Sequence, residues 1–411
     1  MWLRHITRPQ RRALVAAYAG YGLDGFDFMV YSFVIPTLIS VWGMSNAQAG
    51  YVASAALVAS AIGGWTAGVL ADRYGRARIL QLTVLWFAVF TFLSGFADNW
   101  WQLLCTRALQ GLGFGGEWAV GSVLVAETIE ARHRGKAAGL VQSSWSVGWA
   151  AAALASWIVT LTSPPQTGWR IVFWLGLLPV FFIFYIRRRV EEPAVFLATR
   201  RAHPQPPSLL RIFRGGLRRV TVLATLLSTG MLAGYYSVTQ WLPTYLVTER
   251  HLSQSGSTGY VLMVILGSLI GYLVSAWLTD LIGRRRGFML FAAGAALLVV
   301  AYTRMPLAGG MLLVGFALGF FILGIFAGMG AYLAELYPGP VRGAGQGFAY
   351  SIGRGIGGFC PLLIGELSSK VPLGTSIAAF TVAAYGLVVV IAWLLPETRG
   401  KVLGEEVASS S

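Results

Sequence analysis

Only two cysteines and four histidines occur in this 411-residue sequence, and charged residues make up just 11% of it. Cys105 and Cys360 both fall inside apolar runs and read as packed thiols rather than a disulfide or metal ligands. His5, His133, His203 and His251 fall in loops or tails, so no metal site is suggested and no cofactor is implied. Acidic residues are scarcer than basic ones: 16 Asp and Glu stand against 31 Lys and Arg, a formal net charge of +15. So little charge beside 56% hydrophobic residues and 51 glycines rejects a soluble enzyme and matches a polytopic membrane protein. A nucleophile–base pair, a nucleotide loop and a metal cluster are all lacking, so the chain is not expected to be an enzyme.

Twelve apolar runs are long enough to cross about 30 Å of hydrocarbon. They cover roughly 13–38, 47–71, 79–97, 100–126, 137–161, 168–187, 220–246, 257–279, 287–303, 306–333, 344–365 and 374–395. Twelve spans put both termini on one side. With the N-terminus inside, 25 Lys and Arg lie in cytoplasmic segments and 4 outside (Arg170, Arg250, Arg304, Lys370), leaving Arg107 and Arg354 within spans. That asymmetry satisfies the positive-inside rule, so topology explains the basicity and nucleic-acid binding loses its support. The first run is too long and too glycine-broken for a cleaved signal and reads as a retained helix. The short basic segment before it reads as a cytoplasmic anchor beside anionic lipid.

A tight turn motif, Gly68-x-x-x-Asp72-Arg73-x-Gly75-Arg76-x-Arg78, follows span two and returns at Asp280-x-x-Gly283-Arg284-Arg285-Arg286, displaced by 208 residues. Glu127 with Arg134 after span four is matched by Glu335 with Arg342 after span ten at the same offset. A looser pair, Ile35-Pro36-Thr37 and Leu242-Pro243-Thr244, stands 207 apart. Two motifs at one displacement indicate an internal duplication. Six spans then fall in each half, as parallel repeats about an axis along the membrane normal, an arrangement that places a substrate site between them. The expected domains are an N-terminal six-helix bundle at 1–190, a cytoplasmic linker rich in Arg and Pro at 191–218, and a C-terminal six-helix bundle with a short cytoplasmic tail at 219–411.

Over nearly its whole length the chain resembles the major facilitator superfamily of secondary transporters. Gly68-x-x-x-Asp72-Arg73-x-Gly75-Arg76-x-Arg78 matches that superfamily's signature between spans two and three, and the 280–286 copy is its usual echo. Asp24-Gly25-Phe26-Asp27, Gly113-x-Gly115-Gly116-Glu117-Trp118 and Pro396-Glu397-Thr398-Arg399-Gly400 look like the proton symporters for aromatic acids, sialic acid and monocarboxylates. The resemblance implies an all-α membrane protein of twelve transmembrane helices in two six-helix pseudo-repeats. It also identifies Arg107 as the span-four arginine often linked to proton coupling.

Charges inside the membrane face the protein interior or a water-filled cavity, and are functional candidates by default. Asp24 and Asp27 share one helix face, and Gly25 between them lets a neighbouring helix or a ligand come close. With Glu117 of span four they come out near the midplane, where a shared cavity is the economical reading. These three acids are the candidates for proton coupling, with Arg107 beside them. Arg107 lies ten residues from Glu117, about 15 Å of helix rise, and is therefore expected to serve the carboxylates of span one. Its row Arg107-x-x-x-Gly111-x-x-x-Gly115 permits close helix packing.

Arg354, at the middle of span eleven among Gly353, Gly355, Gly357 and Gly358, is expected to have space around its guanidinium and to hold an organic carboxylate in bidentate fashion. Tyr31, Gln142, Trp145, Tyr235, Tyr236, Gln240 and Tyr350 could complete the pocket, although packing explains aromatic residues in membrane helices equally well. The loop residues Asp72, Arg73, Gly75, Arg76, Glu127, Arg134, Asp280, Gly283, Arg284, Glu335 and Arg342 read as a cytoplasmic gate, a bistable element that ligand binding biases.

The expected function is proton-coupled import of an organic acid anion, such as an aromatic acid, sialic acid or monocarboxylate, by alternating access. The partners are then the anion, protons and the bilayer, and the protein acts as a monomer in a bacterial inner membrane. A proton-driven efflux antiporter of drugs or metabolites is the alternative, against which the cationic Arg354 argues.

Overall fold

The computed structural model describes residues 6–129, 134–178, 180–181, 209–306, 309–338 and 341–399. Most of the expected linker and of the C-terminal tail lies outside these residues. In the first half, α1 (Arg8–Trp42), α2 (Asn46–Tyr74), α3 (Arg76–Ser94), α4 (Trp100–Thr128), α5 (Arg134–Thr162) and α6 (Pro165–Leu175) run up and down in turn. A 3-10 segment, Leu209–Phe213, leads into α7 (Leu217–Thr239), α8 (Leu242–Thr248), α9 (Gln254–Ile282), α10 (Arg284–Arg304) and α11 (Gly309–Gly324). After them come α12 (Met329–Leu336), α13 (Arg342–Gly357), α14 (Cys360–Leu367) and α15 (Leu373–Leu394). Nine helical stretches among the described residues are long and apolar enough to cross a membrane. The expected all-α, twelve-passage architecture holds.

Polar side chains at the element ends fix where these helices begin. Thr7 and Gln10 form a reciprocal capping box at α1, and Ser45 and Gln48 do the same at α2. Asn99 accepts the Gln102 amide at α4, and Ser253 accepts the Gly256 amide at α9. The sharp turns after α2 and α9 rest on Gly75 (φ 114°, ψ 150°) and Gly283 (φ 98°, ψ 157°). That backbone region is essentially closed to any residue with a Cβ.

Three passages that read as continuous in the sequence are interrupted. The seventh breaks at 240–241 ahead of Pro243, and the tenth passes through a 3-10 turn, Ile325–Gly328. The eleventh breaks at 358–359 ahead of Pro361. Proline lacks the amide that would continue the helical ladder, and glycine lowers the cost of leaving it.

The duplication reaches into the packing. Helices α2 and α9 correspond end for end at the offset of 208, as do their N-caps Ser45 and Ser253 and their turn glycines Gly75 and Gly283. In the first half α2 and α4 approach backbone to backbone. A Cβ on Gly63 would lie 1.9 Å from the Leu112 carbonyl oxygen, one on Gly111 2.1 Å from that of Ala56, and one on Gly115 1.7 Å from that of Ser60. In the second half α9 and α11 repeat the contact: a Cβ on Gly271 would lie 2.2 Å from the Phe320 carbonyl oxygen, and one on Gly319 1.8 Å from that of Val264. Gly63 and Gly271, like Gly111 and Gly319, stand 208 apart. The expected close packing of the Gly111 and Gly115 row is therefore met by α2.

Helix α5 closes on α1 in the same way, with Gly148 against the Gly22 carbonyl oxygen and Gly25 against that of Trp145. Gly25 thus admits a neighbouring helix. Between the halves, α5 packs on α9 while α2 packs on α13 and α14, two interfaces that the internal repeat relates to one another.

The neighbours of these glycines are backbone atoms and cannot give way. Gly111→Ala and Gly319→Ala should each cost roughly 1–3 kcal/mol through overpacking. Gly386→Ala, at a position with open space around it, should cost nothing. Thermal melting in detergent separates the two classes, and equal melts for all three variants would contradict this packing.

Candidate functional site

Two buried charge centres occupy the middle of the bundle, one in each half. In the first half, Asp27 of α1 is 0% exposed. Its Oδ2 accepts hydrogen bonds from Thr91 Oγ1 of α3 and Gln110 Nε2 of α4, each at 2.7 Å. Arg107, also on α4 and 1% exposed, attracts Asp27 electrostatically. Its guanidinium lies over the rings of Tyr31, 5.4 Å from the centroid, and Phe173, 5.9 Å. The expected service of Arg107 to span one is directed at Asp27.

The Asp27 Oδ1 and the Arg107 Nε and Nη1 atoms have no hydrogen-bond partner among the described residues. This pocket is closed to solvent yet not saturated, so a proton arriving at Asp27 would cancel the charge that Arg107 answers. Asp24, one turn earlier on α1, is likewise fully buried. The side chain of Glu117 lies outside the described residues.

In the second half, Arg354 of α13 is 4% exposed. Its Nη2 donates to the Tyr350 hydroxyl at 3.1 Å, and its guanidinium lies over the rings of Tyr350, 4.9 Å from the centroid, and Phe114, 5.0 Å. Tyr236 and Tyr21 are within its electrostatic reach. Phe114 and Tyr21 come from the first half and Tyr236 and Tyr350 from the second, so the enclosure spans the interface. Phe28 extends it, stacked on Phe114 at 5.2 Å and tilted against Trp145 at 5.7 Å and Tyr236 at 5.8 Å. Trp145 Nε1 donates to the Tyr235 hydroxyl at 2.6 Å, joining α5 to α7. A cation walled by rings is matched to a planar organic anion, with charge pairing at one end and π contact along its faces.

The glycines around Arg354 act differently from expectation. Their faces meet other helices and let α13 wedge between two of them. A Cβ on Gly353 or Gly357 would strike α7 at Ser228 or Ala233, and one on Gly355 or Gly358 would touch α2 at Ala61 or Leu57. Cys105 also departs from its reading, because it lies on an exposed face of α4 rather than packed inside.

Of the other expected pocket residues, Tyr236, Tyr350 and Trp145 gather around Arg354. Tyr31 belongs to the Arg107 centre, where its hydroxyl donates to the Ala49 carbonyl at 3.0 Å. Gln240 is buried one turn beyond Tyr236, and Gln142 is half-buried on α5. Their Nε2 and Oε1 atoms respectively lack a hydrogen-bond partner among the described residues. Sequence reasoning passed over Thr91, Gln110, Tyr21, Phe28 and Phe114. Helical spacing carried a signal for two of them, because Gln110 and Phe114 follow Arg107 at i+3 and i+7 on one face.

The hydrogen bonds that cross between the halves among the described residues lie at mid-bundle or away from the end that carries the α2–α3 and α9–α10 turns. Ser146 pairs with Ser268 at 2.8 Å, Thr37 Oγ1 donates to Gln254 Oε1 at 3.0 Å, and Asn46 Nδ2 donates to Ser368 Oγ at 3.0 Å. Gln254 Nε2 also reaches the Phe33 carbonyl at 3.2 Å. The bundle is therefore drawn shut at the end opposite those turns.

At the turn end, Arg284 bridges Asp280 at 2.7 Å and Glu335 at 3.4 Å, both in its own half. Arg342 Nε donates to the Ala334 carbonyl at 2.9 Å. Arg73 is exposed and lies over the Tyr74 ring. The side chains of Asp72, Arg76, Glu127 and Arg134 lie outside the described residues. Glu397, from the end motif, sits against Gly283 and accepts the backbone amides of Arg284 at 2.9 Å and Arg285 at 3.1 Å. It caps α10, so the chain's end motif closes the duplicated turn.

A model of the Major Facilitator Superfamily matches residues 17–274, and one described as Sugar (and other) transporter matches residues 202–407. The chain is 40% identical to the probable 4-methylmuconolactone transporter of Cupriavidus pinatubonensis, over 97% of this chain and 93% of that protein. It is 30% identical to the niacin transporter of Acinetobacter baylyi, over 93% of each. Among solved structures, the xylose transporter of E. coli in a partially occluded, inward-open conformation aligns with a TM-score of 0.76. That alignment covers 97% of this chain and 100% of the other at 20% identity, and shows the shared fold.

Partial burial works against ionisation of Glu397, but the amides of Arg284, Arg399, Arg285 and Thr398 outweigh it and hold the carboxyl below the ordinary range. A depressed folded-state value means that the cap's contribution is present above the unfolded value, about 4.3, and is lost as pH falls through the folded one. Melting temperature should therefore drop more steeply from about pH 5 to pH 3 in the parent protein than in Glu397→Gln, which starts lower. Parallel pH profiles would contradict the cap.

Proposed function

The chain belongs to the major facilitator superfamily, a family of transporters rather than enzymes, and from that premise we propose that it imports an organic acid anion together with protons by alternating access. The observation that carries this reading is Arg354, a buried cation enclosed by rings contributed from both halves. A carboxylate bound there contacts both halves at once, and its affinity changes as they rock. The names of the relatives support the class, since niacin and muconolactone are both small unsaturated rings that carry a carboxylate.

Asp27 takes the proton in this reading, with Arg107, Gln110 and Thr91 setting the strength of its charge, and Asp24 and Glu117 assisting. Symport requires that the empty carrier and the carrier loaded with both ligands reorient more readily than singly loaded forms. Keeping the proton centre in the first half and the anion centre in the interface allows each ligand to bias the same rocking motion without competing for one group. The turns at 72–78 and 280–286 then face the cytoplasm with both termini, in the inner membrane of a bacterium. Two six-helix bundles rock about the site, joined by the linker at 191–218, and one protomer suffices.

Reconstitution in proteoliposomes tests the reading. Counterflow of labelled ring carboxylates, sialic acid and short aliphatic acids should reveal saturable exchange of one class, stimulated by an inward proton gradient. Loss of a charge-assisted pair should cost Arg354→Gln roughly ten- to hundred-fold in apparent affinity. Arg354→Lys should retain part of it. Asp27→Asn should keep exchange but lose gradient-driven accumulation. Full pH-driven uptake in both Arg354→Gln and Asp27→Asn, or export of lipophilic cations with no acid uptake, would contradict the proposal.

A further inference from the structure

At the foot of α7 the chain carries a feature that anion transport does not use. The segment 211–219 presents Arg211, Arg214, Arg218 and Arg219 on its exposed side, and none of the four has an ion-pair partner among the described residues. Its opposite side is anchored. Ile212 is buried, its carbonyl accepts the Thr221 hydroxyl at 2.8 Å, and Phe213 stands edge-on to Phe348 of α13 at 5.1 Å. Gly215, at φ 56°, makes the left-handed turn that brings this anchored segment into α7. A Cβ there would meet nothing, so backbone conformation alone demands glycine.

A groove of about 400 Å³ opens at this place, lined by Gly215, Arg218, Arg219, Val222 and Leu223. Its two kinds of wall are stacked in depth. Arg218 and Val222, and likewise Arg219 and Leu223, are i and i+4 neighbours, so each apolar side chain sits about 6 Å further along the helix than its arginine. The helix enters the membrane in that direction. Val222 is 46% exposed, which places an apolar surface beside a doubly basic one at the start of a membrane span.

We propose that this groove is a binding site for an anionic phospholipid, with the phosphodiester held by Arg218 and Arg219 and the first carbons of an acyl chain lying on Val222 and Leu223. Charge complementarity selects the anion: two exposed guanidinium groups line the groove itself, and Arg211 and Arg214 add to the field at its mouth. The apolar wall selects a lipid over free phosphate, since a soluble anion would leave Val222 and Leu223 without a partner. The bound headgroup would sit where the segment from the first half enters the second, against α7 and, through Phe213 and Phe348, against the helix that carries Arg354.

Native mass spectrometry of the full-length protein, titrated with dioleoyl phosphatidylglycerol in detergent, reads the site directly. The parent protein should bind one lipid more tightly than any further ones. R218A/R219A should weaken that first binding on the order of ten-fold or more. R218K/R219K should restore most of it. R286A/R399A, which removes the same charge from exposed positions at the same end of the bundle, should leave it within two-fold of the parent. Glycerol phosphate and inorganic phosphate should fail to displace the lipid. The site is overturned if R218A/R219A binds like the parent, if R286A/R399A loses as much affinity, which would mean diffuse attraction, or if inorganic phosphate competes as well as lipid, which would mean a soluble-anion site. Each variant is first checked for an unchanged melt, so that loss of binding is not loss of fold.

Discussion

Placing a charge where water does not reach is the constraint on which the rest of this structure depends. A carboxylate or guanidinium in the membrane interior must find compensation from the protein, or the helix that carries it is driven out of place. Asp27 finds it in Thr91, Gln110 and Arg107, three groups on two neighbouring helices of the same half. Arg354 finds it in ring faces and a phenol drawn from both halves. The two solutions differ in kind. Hydrogen bonds and an opposite charge hold an acid in one bundle, while polarisable rings and a phenol surround a cation at the seam.

Such enclosures need walls that approach closely and do not yield. Glycine contacts between α2 and α4, and again between α9 and α11, bring backbones together at spacings that no side chain permits. Each half is thereby held together by backbone contact, and the seam combines contacts of the same kind, Gly50 against Pro361 and Gly365 against Asn46, with side-chain hydrogen bonds. Hydrogen bonds across the seam at Thr37, Gln254, Asn46 and Ser368 draw one end shut. At the other end, Arg284, Glu335 and Glu397 tie the turn after α9 to the chain's own end.

Much of this was legible in the sequence because its signals are local or periodic. Apolar runs of membrane length, basic residues segregated to alternate loops and motifs repeated at 208 residues specify the architecture. An acid or arginine inside an apolar run announces itself, and Asp27, Arg107 and Arg354 all proved to be buried centres. The partners did not, because Thr91 and Gln110 are ordinary neutral residues whose importance comes only from facing Asp27 across helices. The glycines beside Arg354 misled for a related reason: a small residue marks a close approach without saying by what, and here two helices fill the space. Cys105 shows the same limit in reverse, since being inside a span does not decide between the core and the outer face.

One measurement reaches the central claim most directly. Proteoliposomes loaded with a pH-sensitive dye, with no imposed gradient, are given the ring carboxylate that supports exchange, and protein-free vesicles supply the passive background. The account predicts that adding the acid, at a concentration near the parent's half-saturation, acidifies the interior in proportion to its uptake, and that both signals fall together in Arg354→Gln. Acid entry without proton entry, or proton and acid entry that persist undiminished in Arg354→Gln, would contradict it.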